Sequence, residues 1–143
     1  MKIPQLSVFI ENKVGRLAEI ANTLGEIGAN IRAMSLADTS EFGILRLVVD
    51  KPDNTRQVLK DYGYAVRQAE VLAVAIPDRP GELGRLLDAL QQKGLNIEYM
   101  YAFVQKHSDS AVMILRLDDL DAAIETLTAS GYELLSAEQI YAI

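Results

Sequence analysis

Apolar and polar positions fall into one order of elements that the chain uses twice. Leu6-Ser7-Val8-Phe9-Ile10 is rich in β-branched and aromatic residues and predicts a short strand. Gly15 marks a turn, after which Leu17, Ile20, Ala21 and Leu24 recur at i, i+3, i+4 and i+7, one face of a helix. Gly28 is the expected C-terminal stop. Ile31 to Leu36 is extended again, Asp38 to Ser40 is rich in turn formers, and Ile44 to Val49 predicts the second member of a hairpin. Pro52-Asp53 opens another helix, with Asp53 as N-cap and Val58, Leu59 and Tyr62 on its buried side. Gly63 stops that helix, and a strand is expected from about Ala65.

The order β-α-β-β-α-β then returns. Val14-Gly15-Arg16-Leu17 and Gly28-Ala29-Asn30-Ile31 reappear 66 residues later as Pro80-Gly81-Glu82-Leu83 and Gly94-Leu95-Asn96-Ile97. Between them Leu83, Leu86, Leu87 and Leu90 mark a helix face. The second copy otherwise predicts strands at Leu72 to Ile76, Ile97 to Val104, Ala111 to Leu117 and Tyr132 to Leu135, a turn at Lys106 to Ser110, and a helix over Ala122 to Thr128. Ile44-Leu45-Arg46-Leu47 matches Ile114-Leu115-Arg116-Leu117 at an offset of 70, and Gly63-Tyr64 matches Gly131-Tyr132 at 68. Such a repeat fixes the fold unit. The expectation is α+β: two ferredoxin-like βαββαβ sandwiches in tandem, domain 1 over residues 1–69 and domain 2 over residues 70–143. No linker separates them, and so tight a tether predicts a packed pseudo-dimer. Ser136 and Gln139 fit a capping box, which favours a short terminal helical turn.

Composition narrows the function classes. Half of the 143 residues are hydrophobic, enough for packed cores. With no cysteine and one histidine, His107, thiolate sites and histidine-rich metal sites are excluded. The net charge of −6 lies wholly in the second copy: residues 1–70 carry nine basic and nine acidic side chains, residues 71–143 five and eleven. That balance argues against nucleic acid. The longest nearly uncharged apolar stretch, Val71 to Pro77, suits a buried strand rather than a membrane span. The N-terminus lacks a signal-peptide pattern, so a soluble cytoplasmic protein is expected. His107 falls in a hairpin loop, and no nucleophile stands beside a base, so neither a catalytic residue nor a cofactor or metal site is assigned.

The strand-to-helix turns carry the candidate chemistry. They read Glu11-Asn12-Lys13-Val14-Gly15-Arg16-Leu17 and Pro77-Asp78-Arg79-Pro80-Gly81-Glu82-Leu83. Glycine at a helix start lets a ligand approach the free backbone N–H groups, whose dipole favours a carboxylate. Asn12 or Asp78 can accept from an ammonium group, and Asn30 or Asn96 at the helix exit can add amide contacts across a domain interface. A free α-amino acid needs this combination. Equally, the glycines can serve tight turns alone, with Pro80 suiting a helix start. Tyr99 and Tyr101 share a strand face and can fill an interface or wall a ligand. Arg32 and Glu98 hold matching positions with opposite charge and suggest a cross-domain ion pair.

On these motifs the chain resembles the ACT-domain family and looks like a tandem pair of ACT domains without an attached enzyme. The carriers are Asp78-Arg79-Pro80-Gly81-Glu82-Leu83 with Asn96-Ile97, and the more divergent Asn12-Lys13-Val14-Gly15-Arg16-Leu17 with Asn30-Ile31. The resemblance implies regulatory modules that bind amino acids between domains, as in phosphoglycerate dehydrogenase and aspartokinase regulatory regions. Candidate ligand-binding residues are Asn12, Val14, Gly15, Arg16, Leu17, Asn30 and Ile31 in domain 1. Their counterparts are Asp78, Pro80, Gly81, Glu82, Leu83, Asn96 and Ile97 in domain 2. Val14 departs from the family's usual proline, so the expected principal pocket is the one at Gly81. The implied function is amino-acid sensing by a homodimer, with a free amino acid as ligand and an unidentified protein partner. The alternatives are a ligand-independent assembly module, then a small enzyme, then an RNA-binding protein.

Overall fold

A computed structural model describes residues 1–38, 41–103 and 107–143. By contacts the chain divides into residues 4–69 and a second unit of residues 70–143 with Met1–Ile3. The N-terminal unit runs β1 (Ile3–Glu11), α1 (Arg16–Glu26), β2 (Ile31–Asp38), β3 (Phe42–Val49), α2 (Pro52–Asp61) and the start of β4 (Ala65–Pro77). The C-terminal unit takes up β4 and continues with α3 (Glu82–Gln92), β5 (Ile97–Ala102), β6 (Ser110–Leu117), α4 (Leu120–Ala129), β7 (Glu133–Leu135) and α5 (Ala137–Ala142). Each is a βαββαβ unit of α+β type. Strand orders are β2-β3-β1-β4 in the first and β5-β6-β4-β7 in the second.

Period-2 alternation sends one set of side chains from each sheet towards its helices. Leu6, Val8, Leu45 and Leu47 pack with Ile20 and Leu24 of α1 and Leu59 of α2. Leu72, Val74 and Leu115 do the same with Leu86 and Leu90 of α3 and Leu127 of α4. Burying one such leucine contributes about 1.5–3 kcal/mol.

Several expectations shift in detail. In α1 Ala21 is exposed and Thr23 is buried. Its hydroxyl donates back to the Glu19 carbonyl at 2.8 Å, which satisfies it inside the apolar face. In α2 the cap position is Lys51, because Pro52 already suits the first helical turn; Asp53 lies inside that turn and forms no cap. Thr55 and Leu59 are the buried residues there, one helical turn apart, while Tyr62 sits past the last turn and is 58% exposed. Glu98 pairs with Arg116 at 3.5 Å on the next strand of its own unit. The terminal helix α5 carries the full capping box of Ser136 and Gln139. The turn at Thr39-Ser40 and the stretch Val104 to Lys106 lie outside the described residues.

The register of the repeat also differs from the matched strings. Leu6 stands opposite Leu47, and Leu72, its counterpart, stands opposite Leu115. Leu47 and Leu115 are therefore equivalent at an offset of 68, two residues away from the Ile-Leu-Arg-Leu match. A slip of two keeps every side chain on its own face of the sheet, so the apolar pattern alone cannot detect it. Both units also break register once, between Ile31 and Ala33 and between Ile97 and Tyr99.

Candidate ligand-binding site

The two strand–helix turns have one backbone design. Gly15 and Gly81 both lie in the left-handed region, at φ 89 and ψ −12 and at φ 89 and ψ −13. Arg16 N–H donates to the Lys13 carbonyl at 3.3 Å, and Glu82 N–H donates to the Arg79 carbonyl at 3.3 Å. A Cβ added at either glycine would meet nothing within 4 Å, so each turn faces open space. Neither α1 nor α3 has a side-chain cap, whereas Asp119 caps α4 and Ser136 caps α5. First-turn N–H groups have no partner inside a helix, and the dipole makes that end positive.

The side chains around the two turns differ. At Gly15, Asn12 and Val14 are exposed, and Val14 is fully so. Lys13 holds the Glu11 carboxylate at 2.8 Å; that hydrogen bond, then the lysine charge, holds the Glu11 carboxyl below its usual range. Arg16 meets Glu19 at a loose 3.5 Å. Asn12, Arg16 and Leu17 join Leu36 and Gly43 around a pocket of about 70 Å³. Across Glu11 and Arg16 lies a larger cleft of about 390 Å³, walled by Phe9, Phe42, Tyr62 and Tyr64 with Glu19 at its edge.

At Gly81 the position of Arg16 is taken by Glu82, whose residue is only 7% exposed. Its carboxylate accepts from Arg79 at 3.1 Å and from Arg85 at 3.4 Å. Both guanidinium groups near that turn therefore meet a carboxylate from the chain itself. Asp78 and Pro80 are exposed, and Leu83 is 37% exposed beside them.

The asparagines lie elsewhere. Helices α1 and α3 are each 11 residues long, so about 16 Å separates the glycine turn from the exit in one unit. Asn30 N–H donates to the Asp50 carboxylate at 2.8 Å, and Asp50 N–H returns to the Asn30 carbonyl at 3.3 Å. Asn96 and Asp118 repeat this clamp at 3.3 Å in both directions. Ile31 and Ile97 start the strands that follow and are half-buried. Asn96 and Ile97 line an open cleft of about 440 Å³ with Leu87 and Gln91. A single unit thus gathers Asn12, Gly15, Arg16 and Leu17 but leaves Asn30 and Ile31 at the other end of the helix.

Sequence reasoning passed over Phe9, Glu19, Leu36, Phe42, Tyr62 and Tyr64. Burial pushes the Tyr64 hydroxyl up, the Glu19 carboxylate beside it adds to the rise, and Arg16 opposes it. Its oxygen is nevertheless buried without a hydrogen bond of ordinary geometry among the described residues.

The whole chain, residues 1–143, matches the family described as the ACT domain pair. The chain belongs to that family. ACT domains are regulatory, ligand-binding domains, and an ACT domain pair is a regulatory rather than a catalytic module. A Bacteroides thetaiotaomicron protein of known crystal structure is 37% identical with a TM-score of 0.93, over 100% of this ACT pair and 98% of that chain. The ligand-free regulatory subunit of aspartate kinase from Thermus thermophilus aligns with a TM-score of 0.65 and 15% identity, over 88% of this chain and 91% of its own. Its equivalent from Thermus flavus gives 0.64 and 15%, over 96% and 92%. At that identity the two kinase subunits show the shared fold. No curated protein matches the chain by sequence. No helix among the described residues of the ACT pair is long and apolar enough to cross a membrane.

Proposed function

We propose that this ACT domain pair is a sensor of a free amino acid, with its principal site at the Gly15 turn and a neighbouring ACT domain supplying the remaining wall. One observation carries the choice of turn. Arg16 borders open volume at Gly15, whereas Glu82 engages the guanidinium groups at Gly81. The ligand carboxylate meets Arg16 and the uncapped first turn of α1; its ammonium group meets Asn12 or Glu19. Binding changes oligomeric state or exposed surface for a protein partner, and this coupling makes the pair allosteric.

The test is a thermal-shift screen of ligand-free protein with the twenty amino acids. At a hundredfold excess over the dissociation constant, a true ligand adds about 2.7 kcal/mol. Absence of any shift sinks the sensor. A second reading, ligand-independent assembly, draws on β2, an outer strand of its unit that leaves Met34 38% and Leu36 48% exposed. Sedimentation with and without amino acids separates the two, since only a sensor changes state with ligand. A homodimer in solution is the expected ground state.

A further inference from the structure

The cleft beside the Gly15 turn is aromatic in one unit only. Phe9, Phe42, Tyr62 and Tyr64 wall it, four of the nine aromatic residues in the chain. The structural register gives their counterparts. Phe9 corresponds to Ala75, since Phe9 stands opposite Ile44 and Ala75 opposite Val112. Phe42 and Tyr62, shifted by the same 68 residues as Leu47 and Leu115, correspond to Ser110 and Ser130. Only Tyr64 keeps its identity, as Tyr132. Three aromatic rings thus stand where the second unit has one alanine and two serines.

These rings are not there to close a core. Phe9 is 37%, Phe42 53% and Tyr62 58% exposed, and none belongs to the buried cluster of the unit. Arg67 stacks over Phe9 at 5.8 Å from the ring centre, on the sheet face opposite the one that Leu6, Val8 and Ile10 turn to the helices. The volume of about 390 Å³ lies within the range of small-molecule sites, roughly 300–1,000 Å³. The adjoining pocket of about 70 Å³ holds little more than water. The polar groups at the cleft are of two kinds. Arg16 offers a guanidinium to an anion and Glu19 a carboxylate to a cation, and their mutual contact is loose at 3.5 Å. The Tyr64 hydroxyl, beside the Glu19 carboxylate, adds a further polar group to the cleft.

We infer that the cleft takes a free α-amino acid with an aromatic side chain, its carboxylate on Arg16, its ammonium group on Glu19 and its ring between Phe42 and Tyr62. This rests on the amino-acid sensor proposed above and names the class of its ligand. A zwitterion separates the Arg16–Glu19 pair by meeting both ends of it, and ring-on-ring packing favours aromatic over aliphatic side chains.

The experiment is calorimetric titration of the full chain with each of the twenty amino acids, and with 3-phenylpropionate and phenethylamine. It is repeated on Phe42→Ser/Tyr62→Ser, which installs the residues of the second unit at two exposed positions, and on Gly15→Val. Circular dichroism checks that each variant is folded. The aromatic amino acids should bind at least tenfold more tightly than serine or glycine. Each analogue lacking one charge should lose at least tenfold, and the double serine variant should lose at least tenfold for phenylalanine alone. If a small or acidic amino acid binds best, and Gly15→Val abolishes it while the double serine variant does not, the sensor stands and the aromatic assignment is overturned. If none of the twenty amino acids binds, both fall. If the double serine variant instead dissociates a dimer in sedimentation, the rings are a self-contact and the assignment is overturned.

Discussion

The two strand–helix turns share a backbone and differ in what their side chains have already done with it. At Gly81 an internal carboxylate, Glu82, collects Arg79 and Arg85. At Gly15 the same helical position is Arg16, loosely held by Glu19 and bordering two cavities. Identical dihedral angles therefore carry two charge arrangements: one buried carboxylate shared by Arg79 and Arg85 at Gly81, and two separate pairs, Lys13–Glu11 and Arg16–Glu19, beside open volume at Gly15. A duplicated motif specifies a scaffold, and the first residue of the helix, Arg16 in one unit and Glu82 in the other, sets the charge that borders it.

The largest test of that contrast is valine at each glycine. A left-handed residue with a side chain costs roughly 1–2 kcal/mol, so Gly15→Val and Gly81→Val should lower the melting temperature alike. Only Gly15→Val should erase the ligand-induced shift of about 2.7 kcal/mol. Loss of the shift in Gly81→Val alone would reverse the assignment. Next in size is the arginine pair. Arg16→Ala should weaken amino-acid binding roughly 10- to 100-fold, the worth of a charged hydrogen bond of about 1.5–3 kcal/mol. Arg79→Ala should leave the affinity within about twofold, because its partner is Glu82. Titration calorimetry on both variants reads this directly.

A smaller contrast lies between the equivalent helices α2 and α4. Asp119 accepts from the Ala122 N–H at 3.0 Å, so Asp119→Ala should cost about 1 kcal/mol in urea unfolding. Asp53 makes no cap, and Asp53→Ala should change stability by less than about 0.5 kcal/mol. The smallest effects are in pH dependence. Lys13 holds the Glu11 carboxyl below its ordinary 4.5, so that contribution is present above pH 4.5 and is lost as the pH falls through the folded value. The hydrogen bond to Asp121, then its charge, raises the Lys2 ammonium above 10.5; its contribution is present below pH 10.5 and fades as the pH rises through the folded value. Urea midpoints should therefore lose a slight acid slope in Glu11→Gln and a slight alkaline slope in Lys2→Met.

The elements were legible because each has a local cause. Leu17, Ile20 and Leu24 announce α1 by period, and the glycine turns announce themselves by repetition. Thr23 was not legible, because its burial depends on a hydroxyl bond back to Glu19. The tail was legible from Ser136 and Gln139, whose capping needs only three residues of separation. At the candidate site the turns were visible, but their difference was not. Proline and aspartate favoured Gly81 on paper, whereas the engagement of Glu82 follows from the rotamers of Arg79 and Arg85. The aromatic cleft was further from view. Phe9, Phe42 and Tyr62 are far apart in sequence, and meet because Glu11 pairs opposite Phe42 while the α2–β4 turn returns beside them.

The two-residue step in the repeat bears on how such a chain can diverge. Leu6 and Leu72 are 66 residues apart, while their partners Leu47 and Leu115 are 68 apart. The hairpins between β2 and β3 and between β5 and β6 have therefore come to differ in length by an even number. A one-residue slip of β3 against β1 would turn Leu45 and Leu47 to the opposite face and empty the core beneath them, whereas a residue added within the loop leaves their pairing with Val8 and Leu6 as it is. The register irregularities sit at the same place in both units, at Ile31/Ala33 and Ile97/Tyr99. The length difference is thus carried by the loops, while the strand pairings that set the core faces are kept, so a graft or tag placed there is judged by whether it preserves Leu6 opposite Leu47 and Leu72 opposite Leu115.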